Sequence, residues 1–482
     1  MSGKARESER RLGRHVPEAL RRAAHRGRAV SRRVGRRETG LPRRVGRLGR
    51  RAGRRALRVC LRGAFLLLRV LNSRRARRAP VASTGTIRIL LQHAYGMGGT
   101  IRTVLNLAGH LARERDVEIV SVVRTAEKPF FPIPPGVRVS FLDDRTRPRG
   151  TVATLLARVP SVLVPRGENA YRTFSLLTDL RMVRFLRSMR TGVVISTRPG
   201  FNLITALFAP PGVITIGQEH VALDMHSPGV VRLIKRRYGR LDAFVTLTER
   251  DLERYRRALR PPPRMLLRIP NAVPPLAGEV SKLDEKVVIA IGRLVHAKGF
   301  DLLVKAWQPV AAAHPDWVLR VYGRGRAQAE RKLRARIKEA GLSGSMLLMG
   351  SSAEIGRELS RASIHVVSSR HEGFSMTVLE AMSKGVPVVS FDCPHGPREI
   401  VRDGYNGLLV PPGRPAALAE ALCRVIEDRE LRVALGAGAA RTAADYDLDT
   451  IGARWDALLA RLDDEHAVGS GRTAPARLLD RS

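Results

Sequence analysis

The sequence predicts an α/β protein built from two Rossmann-like, doubly wound halves that face each other across a cleft. Three observations carry this expectation. Short apolar runs alternate with helix-patterned segments from Thr86 onward. The alternation stops at a stretch rich in Pro and small residues, Ile269 to Leu283, and restarts at Lys286. In each half, a strand leads through a glycine-bearing loop straight into a helix, which is the βα turn of a doubly wound sheet. At 482 residues the chain is long enough for two or three domains with separate cores. The expected boundaries are an extension over 1–83, a first domain over 84–272, a second over 285–444, a further helix over 445–465 and a disordered tail over 466–482.

The extension is set apart by charge. Residues 1 to 80 hold 27 Lys and Arg against 4 Glu, so they supply +23 of the +42 net charge. A self-repelling chain of that composition, poor in aromatics, cannot bury enough apolar surface to fold alone. Arg55 to Leu71 differs: Arg55, Arg58, Arg62 and Arg69 share one helical face, opposite Leu57, Leu61, Ala64, Phe65, Leu68 and Leu71. Its uncharged run, Gly63 to Leu68, falls far short of the ~20 residues that cross a bilayer. It suits the plane of an anionic membrane surface, or a solvated basic tail with one adhesive helix. Nucleic acid is disfavoured as a partner, since no aromatic interleaving or binding motif accompanies the charge. No secretory leader is expected, because no short apolar segment with a small-residue cleavage site follows the start. The three cysteines, Cys60, Cys393 and Cys423, have no zinc-site spacing and argue for a reducing compartment.

In the first half, Thr86 to Gln92 is the opening strand, and the loop His93 to Thr100, with Gly98 and Gly99, precedes a helix over Ile101 to Arg113. The loop is not Gly-x-Gly-x-x-Gly, so a plain tight turn accounts for it as well as a phosphate-facing one. Strands follow at Val117 to Val123 and Val137 to Leu142. Leu176 to Met189 and Val230 to Arg240 are helix candidates whose basic faces are either solvated or docked on something acidic. Val193 to Ser196, Val213 to Ile216 and Phe244 to Leu247 look like buried parallel strands. The second of these ends in Gln218-Glu219-His220, and a His at a strand's carboxyl end faces the cleft in this topology. His220 is therefore a site candidate, with a structural role as its alternative.

In the second half, six short apolar strands are expected, at Val287 to Ile291, Val318 to Tyr322, Met346 to Met349, Ile364 to Val367, Val386 to Ser390 and Gly407 to Val410. The stretch Ser368 to Gly385 is the informative one. A strand feeds a loop and then a helix with Ser375 as candidate N-cap, so unpaired N–H groups face whatever lies at the strand ends. Gly373 lets a ligand come close. Glu372 and Glu380 stand eight residues apart and bracket that spot. Carboxylates accept from paired hydroxyls while helix-terminal N–H groups hold an anion, and a ligand that needs both is a sugar nucleotide.

The Glu-x7-Glu element enclosing Gly-Phe-Ser is preceded by Gly292-Arg293-Leu294-x3-Lys298-Gly299-Phe300-Asp301 and followed by Pro387-Val388-Val389 and Gly407-Leu408-Leu409-Val410. This set, in this order, resembles the retaining glycosyltransferases of family 4. The run Phe391 to Ile400 looks most like the branch that moves hexose or N-acetylhexosamine to polymer or lipid-linked acceptors. The resemblance covers roughly Thr86 to Leu462 and implies the GT-B arrangement, with the helix after Asp449 crossing back to the first domain. It implies that Arg293 and Lys298 neutralise the departing diphosphate, that Glu380 accepts from the ribose 2′- and 3′-hydroxyls and that Glu372 lies by the donor sugar. Backbone N–H groups near Phe374, Ser375 and Met376 complete the cradle, Gly292 frames it, and Gly98 and Gly99 reach in from the opposite domain. In the family a His placed like His220 contacts the transferred sugar or the acceptor.

No Asp-x-Asp falls in the cleft region, and Asp143-Asp144 lies outside it, so metal-independent transfer without a cofactor is expected, with the nucleotide sugar as co-substrate. The expected setting is cytoplasmic, at the inner face of the plasma membrane. Two other classes share the scaffold: a UDP-sugar epimerase, which needs no acceptor, and a non-catalytic basic binding protein. Joint presence of Arg293, Lys298, Glu372 and Glu380 counts against the last.

Overall fold

A computed structural model describes Gly63, residues 85–393 and residues 395–469. The expectations for 1–83, apart from Gly63, and for 470–482 lie outside these residues. The first lobe runs β1 (Ile87–Leu91), α1 (Gly99–Leu111), β2 (Val117–Arg124), β3 (Val137–Asp144), α2 (Thr151–Arg158), α3 (Leu176–Ser188), β4 (Val193–Ser196), α4 (Pro199–Phe208), β5 (Ile214–Gln218), α5 (Pro228–Arg237), β6 (Ala243–Thr246), α6 (Glu249–Ala258) and β7 (Met265–Arg268). The second runs β8 (Val287–Ile291), α7 (Phe300–Ala313), β9 (Val318–Tyr322), α8 (Ala327–Glu339), β10 (Met346–Gly350), α9 (Ile355–Ser360), β11 (Ile364–Val367), α10 (Met376–Met382), β12 (Val388–Phe391), α11 (Pro397–Ile400), β13 (Gly407–Val410), α12 (Pro415–Glu427), α13 (Arg429–Ala444) and α14 (Leu448–Gly469).

Each lobe holds one parallel sheet, ordered β3-β2-β1-β4-β5-β6-β7 in the first and β10-β9-β8-β11-β12-β13 in the second. Central strands covered by helices on both faces need continuous apolar sequence. Val193–Ser196 and Ile364–Val367 meet that demand and are buried throughout. Local chemistry starts the helices where the strands end. Thr178 Oγ1 accepts from the Ser175 N–H at the head of α3, Pro199 opens α4, and Thr248 Oγ1 accepts from the Asp251 N–H at the head of α6.

Strand order reverses between β1 and β4 in the first sheet and between β8 and β11 in the second. At such a switch point the two flanking loops diverge to opposite faces and leave a crevice. The loops that carry Arg293 and Lys298, after β8, and Glu372, after β11, are therefore neighbours by topology.

Three expectations need correction. The final helix does not stop at 465 but continues to Gly469, and Ile451, Trp455, Leu458, Leu459 and Leu462 on it join the core of the first sheet. Met265–Arg268, for which no strand was expected, pairs with β6 as an edge strand. Its flanking Pro261-Pro262-Pro263 disguises a four-residue strand that has only one neighbour to pair with. Several strands are displaced by one or two residues, as at Val386, where pairing begins only at Val388 because Pro387 precedes it.

Candidate functional site

The second lobe's crevice is stitched from both loops. Gly299 adopts a left-handed φ of 64°, and any Cβ there would strike the Ser368 carbonyl oxygen, so only glycine lets the loops close. Ser368 Oγ donates to the Lys298 carbonyl at 3.0 Å, the Arg370 N–H to the Ala297 carbonyl at 2.8 Å, and the Arg370 guanidinium grips Asp301 through two nitrogens at 2.7 Å. Lys298 is carried on a single 3-10 turn, His296–Lys298. Its Nζ donates to Glu372 Oε1 at 2.5 Å, and Ser369 Oγ donates to the same oxygen at 2.7 Å. A Cβ on Gly292 would press on the Lys298 stem at 3.3 Å, so that glycine clears the lysine's path.

Glu372 is buried, and the short pair with Lys298 balances its charge inside the crevice. Arg293 is exposed in the same loop. The two cations differ accordingly: one is locked to a carboxylate, and the other is open to a solute.

Glu380 is buried one turn into α10, where burial pushes its carboxyl pKa up and Arg102 pulls it back down. Arg102, from α1 of the first lobe, donates through Nη1 to Glu380 Oε1 at 2.9 Å. This residue was not anticipated, although its place in the first turn after the glycine loop was the available signal. A Cβ on Gly99 would lie 3.9 Å from Met376 Cγ, and one on Gly98 would meet nothing within 4 Å. No neighbouring protein atom therefore demands glycine at either position, and the space in front of α1 is open.

The cradle was expected to draw on backbone N–H groups, and one of them is engaged elsewhere. Phe374 packs into a cluster with Val378, Leu379 and Met382 and tilts against Tyr446 at 6.2 Å, so its side chain belongs to the core. The Met376 N–H already donates to the Phe374 carbonyl at 3.1 Å and is not free for a ligand. Ser375 precedes α10 as expected but makes no side-chain cap.

The opposing wall comes from the first lobe. His220 follows β5, with its Nε2 enclosed and unpartnered, and burial followed by the nearby Arg198 charge lowers its pKa to about 4. It is therefore neutral at pH 7. Its carbonyl comes so near Gly373 that a Cβ there would stand 2.5 Å away. The candidate His and the glycine beside Glu372 thus meet across the cleft. Arg198, just before α4, pairs with the buried Glu168 and with Gln92 while lying over the Phe174 and Phe201 rings at 5.6 and 5.7 Å. Burial pushes the Glu168 carboxyl up, against Arg198. Behind them Glu219 Oε1 accepts from Asn202 Nδ2 at 2.9 Å and the Tyr238 hydroxyl at 2.5 Å, which fixes the end of β5. Sequence reading missed Arg198 and Glu168 because nothing local marks them as partners 30 residues apart.

Two further contacts join the lobes. His395 Nε2 lies 3.0 Å from Asp224 and 2.9 Å from Arg254, and the Glu399 carboxylate accepts from the Glu249 and Arg250 N–H groups at 3.2 and 3.4 Å. Asp143, as expected, lies away from the cleft: it is fully buried among Arg145, Arg149 and Arg181. A trio able to ligate a metal, His314, Cys423 and Glu427, lies at the end of α7 remote from Lys298. Among the described residues no helix is long and apolar enough to cross a membrane.

Comparison with known proteins agrees with this architecture. Residues 277–442 match the family described as glycosyl transferases group 1. An exopolysaccharide phosphotransferase of Streptomyces coelicolor is 36% identical over 408 residues, 82% of this chain, which spans only 42% of that protein. The amylovoran biosynthesis glycosyltransferase AmsD of Erwinia amylovora is 25% identical over 77% of this chain and 98% of its own. Among solved structures, Staphylococcus aureus TarM in complex with UDP superposes with a TM-score of 0.62 at 14% identity, covering 78% of this chain and 99% of its own. Anabaena HepE in complex with UDP and glucose gives 0.60 at 18%, over 78% and 99%. Two facing parallel-sheet lobes of this kind constitute the GT-B fold.

Proposed function

With a second lobe that matches the group 1 glycosyl transferases as premise, we propose that this chain is a retaining glycosyltransferase. It moves a hexose or N-acetylhexosamine from a nucleotide diphosphate sugar, with UDP as the favoured carrier, to a lipid-linked or cell-envelope polymer acceptor. The observation that carries the reading is the meeting of Lys298 and Glu372 at the switch point of the second sheet, with Glu380 one helix turn beyond and His220 facing them.

Negative charge grows on the diphosphate as the bond to the sugar breaks, and fixed cations there lower the barrier. Lys298 and Arg293 fill this role, and entry of the diphosphate gives the Lys298 ammonium a second anion besides Glu372. Attack on the same face of the sugar keeps the anomeric configuration. The acceptor oxygen bonds to the anomeric carbon, the bond to the phosphate oxygen breaks, and that oxygen takes the acceptor's proton. Glu372 then holds the sugar hydroxyls and the Lys298 ammonium in place and does not act as nucleophile. Neutral His220 offers a ring nitrogen to a hydroxyl of the sugar or acceptor. No metal ion or cofactor is required in this scheme.

UDP bound in the TarM and HepE structures supports the donor assignment, and the exopolysaccharide and amylovoran relatives support an envelope polymer as acceptor. The chain is placed at the inner face of the plasma membrane, with the basic extension holding it to anionic lipid. The deciding experiment is a panel of UDP-, GDP- and ADP-sugars with nucleotide release as readout, with and without polyprenyl-linked or polymer acceptors. Slow hydrolysis of one donor, accelerated by acceptor and giving a product with the donor's anomeric configuration, is expected. Conversion of a donor into its epimer without acceptor would replace this reading by the epimerase one, and inertness toward every donor would remove it.

A further inference from the structure

The N-terminal turns of α1 and α10 approach each other. Gly99 faces Met376 at the first turn, and one turn further Arg102 reaches Glu380. Arg102 is held on its other side by the Phe131 ring, 5.5 Å from the guanidinium carbon, and Phe131 is braced edge-on by Phe130 at 4.9 Å. The contact with Glu380 runs through one nitrogen and one oxygen, so the second carboxylate oxygen stays outside the ion pair.

Resting on the donor reading above, we infer that Arg102 is a positioning residue of the nucleotide site, supplied by the opposite lobe. It keeps the buried Glu380 carboxylate ionised and oriented so that it can accept from the ribose hydroxyls of the donor. A buried carboxylate without a cation nearby takes up a proton, and a carboxyl group accepts less well from a vicinal diol. Arg102 is the charged group that acts on Glu380. The other titratable groups around α10 are committed elsewhere. Glu372 pairs with Lys298, His365 on β11 lies against the Ile289 carbonyl, and Lys384 donates to the Leu276 carbonyl. Arg441 on α13 donates to the Tyr405 hydroxyl, and Glu399 in α11 binds the head of α6.

The test is calorimetric titration of UDP into the wild-type chain and into Arg102→Lys and Arg102→Gln variants between pH 5.5 and 8.5, each first checked for an intact melting transition. GDP and ADP serve as substitutes should UDP fail. Arg102→Gln is expected to bind about 10- to 100-fold more weakly at the acid end, the range a charge-assisted hydrogen bond supplies, and to recover as pH rises. Arg102→Lys should follow the wild type. With 2′,3′-dideoxy nucleotide the pH dependence of the Gln variant should vanish, because no diol remains to consult Glu380. Equal binding by all three proteins at every pH overturns the inference, and so does a loss in Arg102→Gln that is independent of pH or persists with the dideoxy ligand. A wild-type chain that binds no nucleoside diphosphate overturns the donor reading itself and the inference with it. If Arg102→Gln fails to fold, the same comparison made with Arg102→Met and with Glu380→Gln decides it. Glu380→Gln must then bind weakly at all pH values, and retained affinity there rejects the role of Arg102.

Discussion

Lys298 joins two effects that a substitution would remove together. Its ammonium balances a buried carboxylate and, in the proposed reaction, stands where charge develops on a leaving diphosphate. Lys298→Ala is expected to lower turnover about 100-fold, the scale of a lost preorganised donor, while nucleotide affinity changes less. Steady-state kcat and KM check this, and an unchanged kcat would exclude the residue from the chemistry. The alanine variant also strands Glu372 beneath the surface, so its melting temperature should fall, whereas Lys298→Ala combined with Glu372→Gln should regain stability without regaining rate. Sequence made these two residues visible because the spacing of glycines around them is itself a geometric statement. Gly292 and Gly299 stand where one side chain must pass and two loops must touch. Arg198 and Glu168 were invisible for the opposite reason, each mattering through a distant partner that no periodicity encodes, and Arg102 showed only its place after the glycine loop.

At the level of elements, the glycine loops sort into two kinds. Gly373 is demanded by protein, since a methyl group would press on the His220 carbonyl, while Gly98 and Gly99 are demanded by nothing in the chain itself. Gly373→Ala should therefore push the lobes apart at about 1–3 kcal/mol, cutting turnover with little change in the melting of either lobe. Gly99→Ala should fold normally and lose activity only if a ligand occupies the space in front of α1. Turnover and thermal melting of the two variants, read side by side, separate steric from ligand-driven glycine. The terminal helix α14 gives the element-scale stability test. Trp455 is 2% exposed in the first lobe's core, and Trp455→Ala should cost about 3–5 kcal/mol by denaturant titration. Its helical spacing was readable from sequence through Leu462, but its true end was not, because the charged turn Asp463-Asp464-Glu465 looks like a stop while still completing a helix.

Across the whole molecule, two histidines with lowered pKa values weaken the fold toward acid. His220 and His365 are each lowered to about 4, mainly by burial, so both stay neutral in the fold while their unfolded counterparts titrate near 6.5. Between those values each of these histidines binds more protons in the unfolded chain, so its contribution to stability falls as pH drops from about 6.5 to about 4, while Asp251, raised to about 6 by burial, acts in the opposite direction. Melting curves of the wild type and His365→Asn across that window check this, the variant losing less stability toward acid than the wild type. Deleting residues 1 to 80 should leave nucleotide binding intact and weaken binding to anionic vesicles. Equal vesicle binding by both forms would dismiss the proposed role of the extension. The twofold repetition of strand, loop and helix was legible because parallel sheets write their burial as unbroken apolar runs. The contacts that bring the lobes together were not, since Arg102–Glu380, His395–Asp224 and Glu399 on α6 each unite residues more than a hundred positions apart.

The loops after β8 and β11 are tied to each other by Gly299 against Ser368, by Ser368 on the Lys298 carbonyl and by Arg370 on Asp301, all within one lobe. In the proposed reaction, any parting of the lobes would carry the diphosphate berth along intact, like a drawer pulled from its cabinet. Spent nucleotide would then meet bulk solution without the berth being dismantled, and the next load could dock before the opposite wall returns.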